Sequence, residues 1–206
     1  MKGAGDLRHP LAAALLGVLL LDACAKVQYP TSYILNFPRP APPTTAPRKA
    51  FGAVVVREFG CPDYLCQGRI VYRPSPVEVG FYEYHRWAMN PRQSITRFMA
   101  DTLRAQSLFQ YVATQEPGIG AAYVLTGRIE RLEEVDRGSD VHVECAISAQ
   151  LLDARTGSVV WSDTASEMAP VENRNIPGVV SSLTAAAQIT VDRLVKSMAN
   201  QLASTR

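Results

Sequence analysis

The sequence of 206 residues has few of the groups on which enzyme active sites depend. Of its three histidines, only His85 and His142 lie beyond the N-terminal region. A Ser-His-Asp or Cys-His site would have to use one of these two. The sequence also lacks a G-x-S-x-G nucleophile motif and a Walker-type phosphate loop. These absences predict a protein that is not an enzyme and has no catalytic residues.

An excess of one charge sign is also missing, because 21 lysine and arginine residues nearly balance 19 aspartate and glutamate residues. No basic run occurs, which argues against a nucleic-acid partner. His142 and Glu144 would share one face of a strand, but a metal site there would need further ligands from elsewhere. We interpret this face as solvated and expect neither a metal nor another cofactor.

The apolar run near the N-terminus is too short to cross a membrane. Residues 11–21 have about half the required length and follow Lys2 and Arg8, as in a secretory signal. The next residues, Leu21-Asp22-Ala23-Cys24, resemble a bacterial lipobox. This resemblance implies that residues 1–23 are a signal peptide and that Cys24 carries covalent acyl chains. The alternative is ordinary secretion with an incidental cysteine.

The residue after the cysteine bears on the destination. Ala25 stands there rather than aspartate. In bacteria that sort lipoproteins by this position, a residue other than aspartate implies the outer membrane. Several acyl chains would satisfy the rule that stable anchoring needs more than one lipid signal. We therefore expect a lipid-anchored protein on the periplasmic face of the outer membrane.

Three cysteines remain after lipidation: Cys61, Cys66 and Cys145. The periplasm is oxidising and permits disulfides. Because Cys61 and Cys66 enclose a short loop, we favour a bond between them. Cys145 would then be a buried free thiol on a strand.

Composition divides the mature chain into two parts. Residues 24–50 combine the lipidated N-terminus, a short strand candidate at 32–37 and the proline-rich spacer PRPAPPTTAP, which can form neither a helix nor a central strand. Residues 51–206 are long enough to form a single α/β domain with its own core.

Hydrophobic periodicity predicts the elements of this domain. The expected strands cover residues 53–59, 69–73, 77–84, 123–130, 141–151 and 158–164, with a turn at Pro74-Ser75-Pro76. Two amphipathic helices are expected, one starting at Pro91 with Asn90 as its N-cap and one over residues 178–204. The pattern is typical of an α+β domain, in which two amphipathic helices cover a mainly antiparallel sheet.

The stretch FYEYHRWAMNP is unusually rich in aromatic side chains. It has two interpretations. Trp87 could fill the corner between the sheet and the first helix, with Arg86 pairing outward, since tryptophans are buried on average. Alternatively, Tyr82, Tyr84, Arg86 and Trp87 could form a contact patch for a protein or lipid, because tyrosine, tryptophan and arginine are enriched at binding hot spots.

The same region resembles the ABC-type transport auxiliary lipoprotein family. Its members share a Y-R pair followed by Y-x-Y-x-x-W-x-x-P, which is matched here by Tyr72, Arg73, Tyr82, Tyr84, Trp87 and Pro91. The lipobox, an early Tyr33-Ile34-Leu35 strand and the closing helix also fit, so the resemblance covers essentially the whole mature chain.

The resemblance implies a non-enzymatic docking or binding component of an ABC lipid transport system, similar to the paraquat-inducible type of lipoprotein. Its partner would be an MCE-domain protein, with the ATPase and the permease on separate chains. A docking cap is compatible with homo-oligomerisation, which no residue decides.

A second resemblance supports an alternative. The segment AAYVLTGRIERLE resembles a strand of curli-secretion lipoproteins and of penicillin-binding-protein activators. The alternative function is therefore that of an envelope-assembly lipoprotein.

Overall fold

A computed structural model describes residues 28–42, 50–114, 120–138 and 140–204. Eight strands and three helices lie in these segments. The strands are β1 (Thr31–Tyr33), β2 (Phe51–Val56), β3 (Arg69–Ser75), β4 (Glu78–Trp87), β5 (Phe109–Ala113), β6 (Tyr123–Arg137), β7 (Asp140–Asp153) and β8 (Val159–Pro170). The helices are α1 (Asp63–Cys66), α2 (Pro91–Ala105) and α3 (Ile176–Ser204).

One half of the sheet is a long antiparallel meander of β6, β7 and β8, with β8 at its edge. Along β7, the side chains from Val143 to Leu151 alternate between a buried and a more exposed face, as the apolar-polar pattern predicts. The turn from β7 to β8 is fixed by the Asp153 carboxylate, which accepts hydrogen bonds from the backbone N–H groups of Arg155 and Thr156. Gly157 follows with a φ of 73°, a conformation that glycine adopts without strain.

Two shorter groups of strands share the other edge of β6. β2 pairs in parallel with residues 123–125 of β6, and β5 lies outside β2. Further along, β3 pairs in parallel with residues 134 and 135. β4 and then β1 follow β3 outward. We call β3, β4 and β1 the wing, because only two paired positions of β3 connect their backbones to the meander.

The two long helices pack on the same face of the sheet. α2 buries Ile95, Phe98, Met99 and Leu103, and α3 buries a longer stripe that includes Leu183, Leu194 and Met198. The start of α2 has the predicted cap: the Asn90 side chain accepts from the N–H of Arg92, and Pro91 occupies the first turn. This arrangement confirms the predicted α+β class with two covering helices.

Some element boundaries differ from the predictions. β1 ends at Tyr33, although Leu35 and Phe37 still pack into the core. The turn predicted at Pro74-Ser75-Pro76 is present but lies further along the chain, because β3 continues to Ser75 and the chain turns at Pro76 and Val77. Pro74 is tolerated in the strand because it lies beyond the last β6 pairing and within the register shift between Tyr72 and Ser75 of the β3–β4 pairing.

Three features were not predicted at all. The strand β5 has only five residues, and the four-residue helix α1 is too short for a periodicity to show. The sheet is also mixed, because β1–β4, β2–β5, β2–β6 and β3–β6 are parallel pairs. The long pairings of the meander nevertheless make it mainly antiparallel.

Candidate functional site

Two adjacent glutamates on β6 lie at the junction between the wing and the meander. Glu133 and Glu134 project from opposite faces of the sheet, because successive strand residues alternate. On β7, Glu133 is opposite Glu144, whereas Glu134 is opposite the buried Val143. Glu133 therefore lies on the face that the long helices leave open, and Glu134 lies on the helix-covered face.

The carboxylate of Glu133 is fully buried and is held by two arginines. Arg73 donates from Nε to Oε1 at 2.7 Å and from Nη2 to Oε2 at 3.0 Å. Arg131 donates from Nη1 to Oε1 at 2.7 Å. A buried carboxylate is tolerated only with such partners, because its desolvation is otherwise not compensated. Since Arg73 belongs to β3 and Glu133 to β6, this ion pair joins the wing to the meander.

Arg73 also organises the surroundings of the pair. Its Nη1 donates to the carbonyl of Pro76 at 3.3 Å, and its Nη2 is 3.5 Å from the hydroxyl of Tyr64 on α1. The guanidinium thus contacts β6, the β3–β4 turn and α1 at once. Its hydrogen bonds to Glu133 raise the pKa of Arg73 above its ordinary value.

On the opposite face, Glu134 accepts a hydrogen bond from the hydroxyl of Tyr82 at 2.8 Å. Burial raises the pKa of Glu134, and this hydrogen bond opposes the shift. Burial, together with the bond to Glu134, also raises the pKa of Tyr82. The ring of Tyr72 lies 5.1 Å from that of Tyr82 and covers Gly80, where a Cβ would overlap it. Gly80 is therefore the residue that admits the Tyr72 ring.

The aromatic contacts continue from Tyr82 to the outermost strand. The ring of His85 lies 6.0 Å from that of Tyr82, and its Nδ1 is 3.2 Å from the hydroxyl of Tyr33 on β1. The structure thus brings three tyrosines of the recognised motifs, Tyr33, Tyr72 and Tyr82, into one cluster. Together with Arg73, they contribute side chains to both faces of the wing.

The structure separates the four residues of the predicted contact patch. Trp87 is 8% exposed and belongs to the core, at the corner where β4 leads to α2. Tyr82 is half-buried and bonded to Glu134. Tyr84 and Arg86 are exposed. The corner interpretation therefore describes Trp87, and only Tyr84 and Arg86 are available on the surface for contact.

The cysteines differ in their surroundings. Cys61 and Cys66 are joined across α1, and the carbonyl of Cys66 accepts a hydrogen bond from the Asn90 side chain. Cys145 is buried, and burial raises its pKa to about 12. Cys24, the predicted lipidation site, lies outside the described residues.

The described segments are also informative about metal binding, membrane crossing and surface grooves. Histidine, cysteine and acidic side chains form no cluster of three there that could bind a metal ion. None of the helices in these segments combines the length and the apolar character needed to cross a bilayer. An open groove of about 940 Å³ lies between β8 and α3, where Trp161 donates from Nε1 to Ser197 at 3.2 Å.

Two of the outer strands are capped by side chains. On β8, the carbonyl of Ser166 accepts a hydrogen bond from Arg193 of α3 at 2.7 Å. On β5, the carbonyl of Val112 accepts from Arg104 of α2 at 3.0 Å. Such caps protect a sheet edge against pairing with another chain. Within the described residues, no comparable side-chain bond covers the outer edge of β1.

Residues 33–199 match the family described as the ABC-type transport auxiliary lipoprotein component. The chain belongs to this family. The resemblance inferred from the Tyr72-Arg73 and Tyr82–Pro91 motifs is thereby confirmed, and the family favours a transport function over envelope assembly. It is named for an auxiliary role and not for a reaction, and it implies a transporter as partner.

Solved structures share the fold at low sequence identity. A protein of the DUF330 family from Xanthomonas campestris is 21% identical, with a TM-score of 0.73 over 85% of this chain and 100% of that chain. A hypothetical protein from Chlamydia trachomatis is 8% identical, with a TM-score of 0.54 over 75% of this chain and 99% of that chain. No curated protein matches the sequence.

Sequence reasoning did not identify Glu133 and Glu134 as functional positions. The signal for them is that two adjacent acids interrupt a strand in which apolar and polar residues otherwise alternate. One of the two must then face the core and needs a partner. The partners, Arg73 and Tyr82, were recognised as motif residues, but their pairing depends on the parallel register of β3 and β6, which periodicity does not reveal.

We predict that Arg73→Met lowers the free energy of unfolding by about 3 kcal/mol, because it removes one partner of a buried carboxylate. The matched control is Arg131→Met, which removes the other partner. The Arg131 side chain is 40% exposed against 13% for Arg73, so we expect a loss of about 1 kcal/mol there. Denaturant titration measures both. Equal losses of unfolding free energy in the two variants would contradict the role of Arg73 in connecting β3 to β6.

We predict that Glu134→Gln raises the melting temperature at pH 7.5. Because the folded state raises the pKa of Glu134, stability is lost as the pH rises through that pKa. The amide keeps an acceptor for Tyr82 and can donate to Asp136, whose charge acts on Glu134.

The gain should shrink as the pH falls towards the ordinary carboxylate pKa, below which Glu134 is protonated in both the folded and the unfolded state. Thermal melts from pH 7.5 to 4.5 test this pattern. The exposed Glu78→Gln serves as control and should show no such trend. A gain of Glu134→Gln that is independent of pH would be inconsistent with the proposed desolvation.

Proposed function

We propose that the protein is the outer-membrane-anchored auxiliary lipoprotein of an ABC lipid transport system, and that it docks onto the MCE-domain protein of that system without catalysing a reaction. The match of residues 33–199 to the auxiliary lipoprotein family carries this proposal. The described residues support a role without catalysis, because the buried carboxylates of Glu133 and Glu134 are hydrogen-bonded to structural partners, Arg73 and Tyr82.

The N-terminal segment would serve as a short tether. Cys24 stands seven positions before Thr31, the first residue of β1. A chain of this length reaches at most about 25 Å. Acyl chains on Cys24 would therefore hold the wing close to the membrane and would leave the domain free to rotate but not to drift away.

The wing is also the most suitable surface for the partner. Apolar side chains are exposed on it and beside it: Val79 at 36% and Tyr84 at 37% lie on β4, Ile34 at 55% follows β1, and Met89 at 39% follows β4. Exposed tyrosine next to arginine is typical of binding hot spots. We assign the partner contact to Tyr84 and Arg86, the two members of the predicted patch that reach the surface.

The anchor is tested by changing the modified cysteine. We predict that Cys24→Ser releases the protein into the periplasmic fraction, because the acyl chains are lost and none of the helices in the described segments is long and apolar enough to span a bilayer. Cell fractionation and mass spectrometry of the mature N-terminus measure the outcome. Retention of this variant in the outer membrane would contradict lipid anchoring.

The docking surface is tested by capture of the transporter. We predict that Tyr84→Ala strongly reduces recovery of the ATPase, permease and MCE protein with the tagged lipoprotein, and leaves the melting temperature unchanged. Tyr111→Ala is the matched control, since Tyr111 is 58% exposed on β5, at the other side of the sheet.

Trp87→Ala separates folding from contact. Trp87 is buried, so its truncation should lower stability by about 3 kcal/mol or more. Recovery of the transporter by Tyr84→Ala at the wild-type level would contradict the assigned surface. Absence of any transporter subunit from the wild-type sample would contradict the proposed function itself.

A further inference from the structure

Two arginines face each other across adjacent strands of the wing. Arg69 on β3 is paired with Arg86 on β4 in the antiparallel register. Side chains at directly opposite positions lie on the same face of a sheet, and like charges placed there destabilise it. Both side chains are exposed. The pair therefore destabilises the isolated domain, and a binding function would explain why both arginines are present.

In the described segments, no carboxylate lies within salt-bridge distance of Arg69 or Arg86. By contrast, nearby Arg73 is bonded to the buried Glu133 and is not available. The guanidinium of Arg69 is positioned 5.6 Å from the centre of the Phe81 ring. This contact orients one arginine and leaves its outward N–H groups free for an acceptor.

We infer that Arg69 and Arg86, with Tyr84 beside them, form a binding site for an acidic, extended segment of a partner protein. Arginine forks match carboxylates in a bidentate manner, so one or two acidic side chains could occupy the space between the guanidinium groups. The inference rests on the proposed function, and it states the chemistry that the docking partner must present.

The surroundings favour a polypeptide over a lipid headgroup. The pair lies next to β1, because Arg86 is opposite Ser32. Within the described residues, the outer edge of β1 lacks the side-chain caps that protect β5 and β8. A free strand edge offers backbone donors and acceptors that another extended chain can satisfy. Recognition of an anionic membrane surface uses clusters of four or more basic residues, and two arginines fall short of that.

A defined probe tests the site without the transporter. The mature chain carrying Cys24→Ser is titrated with a short peptide of alternating valine and glutamate and, separately, with the same peptide carrying lysine in place of glutamate. We expect the acidic peptide to bind, with an affinity that falls as the salt concentration rises. The lysine peptide should not bind.

Substitutions locate the binding on the arginine pair. Arg69→Gln and Arg86→Gln should each raise the dissociation constant for the acidic peptide by roughly threefold to fivefold, and the double variant should raise it by more than either. Arg97→Gln, at an exposed position on α2, is the control and should bind as wild type. Arg86→Gln should not lower the melting temperature, because it relieves repulsion; a lowered value would indicate a structural role and overturn the inference.

Three further results would overturn the inference. The first is acidic-peptide binding that persists unchanged in the double variant, and the second is no binding of the acidic peptide at all. The third is arginine-dependent binding of the same chain to phosphatidylglycerol vesicles in preference to the peptide, which would assign the pair to lipid. None of these results alters the co-purification test, so this site can fail while the proposed transport function stands.

Discussion

The buried side chain of Glu133 constrains the rest of the wing. Its carboxylate is fully enclosed, and its closest partners, Arg73 and Arg131, come from two different strands. The backbone ladder between β3 and β6 has only two paired positions. Separation of these strands would therefore leave a charged group without its main partner at the same time as it breaks the ladder. Such a coupling makes the junction cooperative although it is short.

The second glutamate completes the junction from the other face. Glu134 accepts from Tyr82, which in turn contacts Tyr72 and His85. The recognised motif thus has a structural explanation: Arg73 binds one acid and Tyr82 binds the next. Motif residues that looked like a contact patch mainly fix the wing in place, and the exposed residues between them, Tyr84 and Arg86, are held on a rigid support. A docking surface benefits from such preorganisation, because less ordering entropy is lost on binding.

The sequence was sufficient for the features that depend on local pattern. The alternation along β7, the Asn90-Pro91 helix start and the amphipathic stripe of α3 all follow from spacing. It was insufficient where the outcome depends on register between distant segments. The pairing of Arg73 with Glu133 spans 60 positions and needs the parallel contact of β3 with β6. β5 is too short for alternation to distinguish it from a loop. Pro74 was misleading because the free-energy cost of its missing backbone N–H depends on whether a neighbouring strand pairs with it at that position.

The same reasoning applies to the function. The family is readable from the motif residues, whereas the opposition of Arg69 and Arg86 appears only once the irregular register of β3 and β4 is known.

The central claim is that Glu133 and its arginine partners attach the wing to the meander. Native-state hydrogen exchange on Glu133→Gln tests this claim most directly. We predict faster exchange at residues 70–73 and 81–87, with protection at residues 143–151 unchanged. Equal acceleration in both regions, or none in the wing, would contradict it.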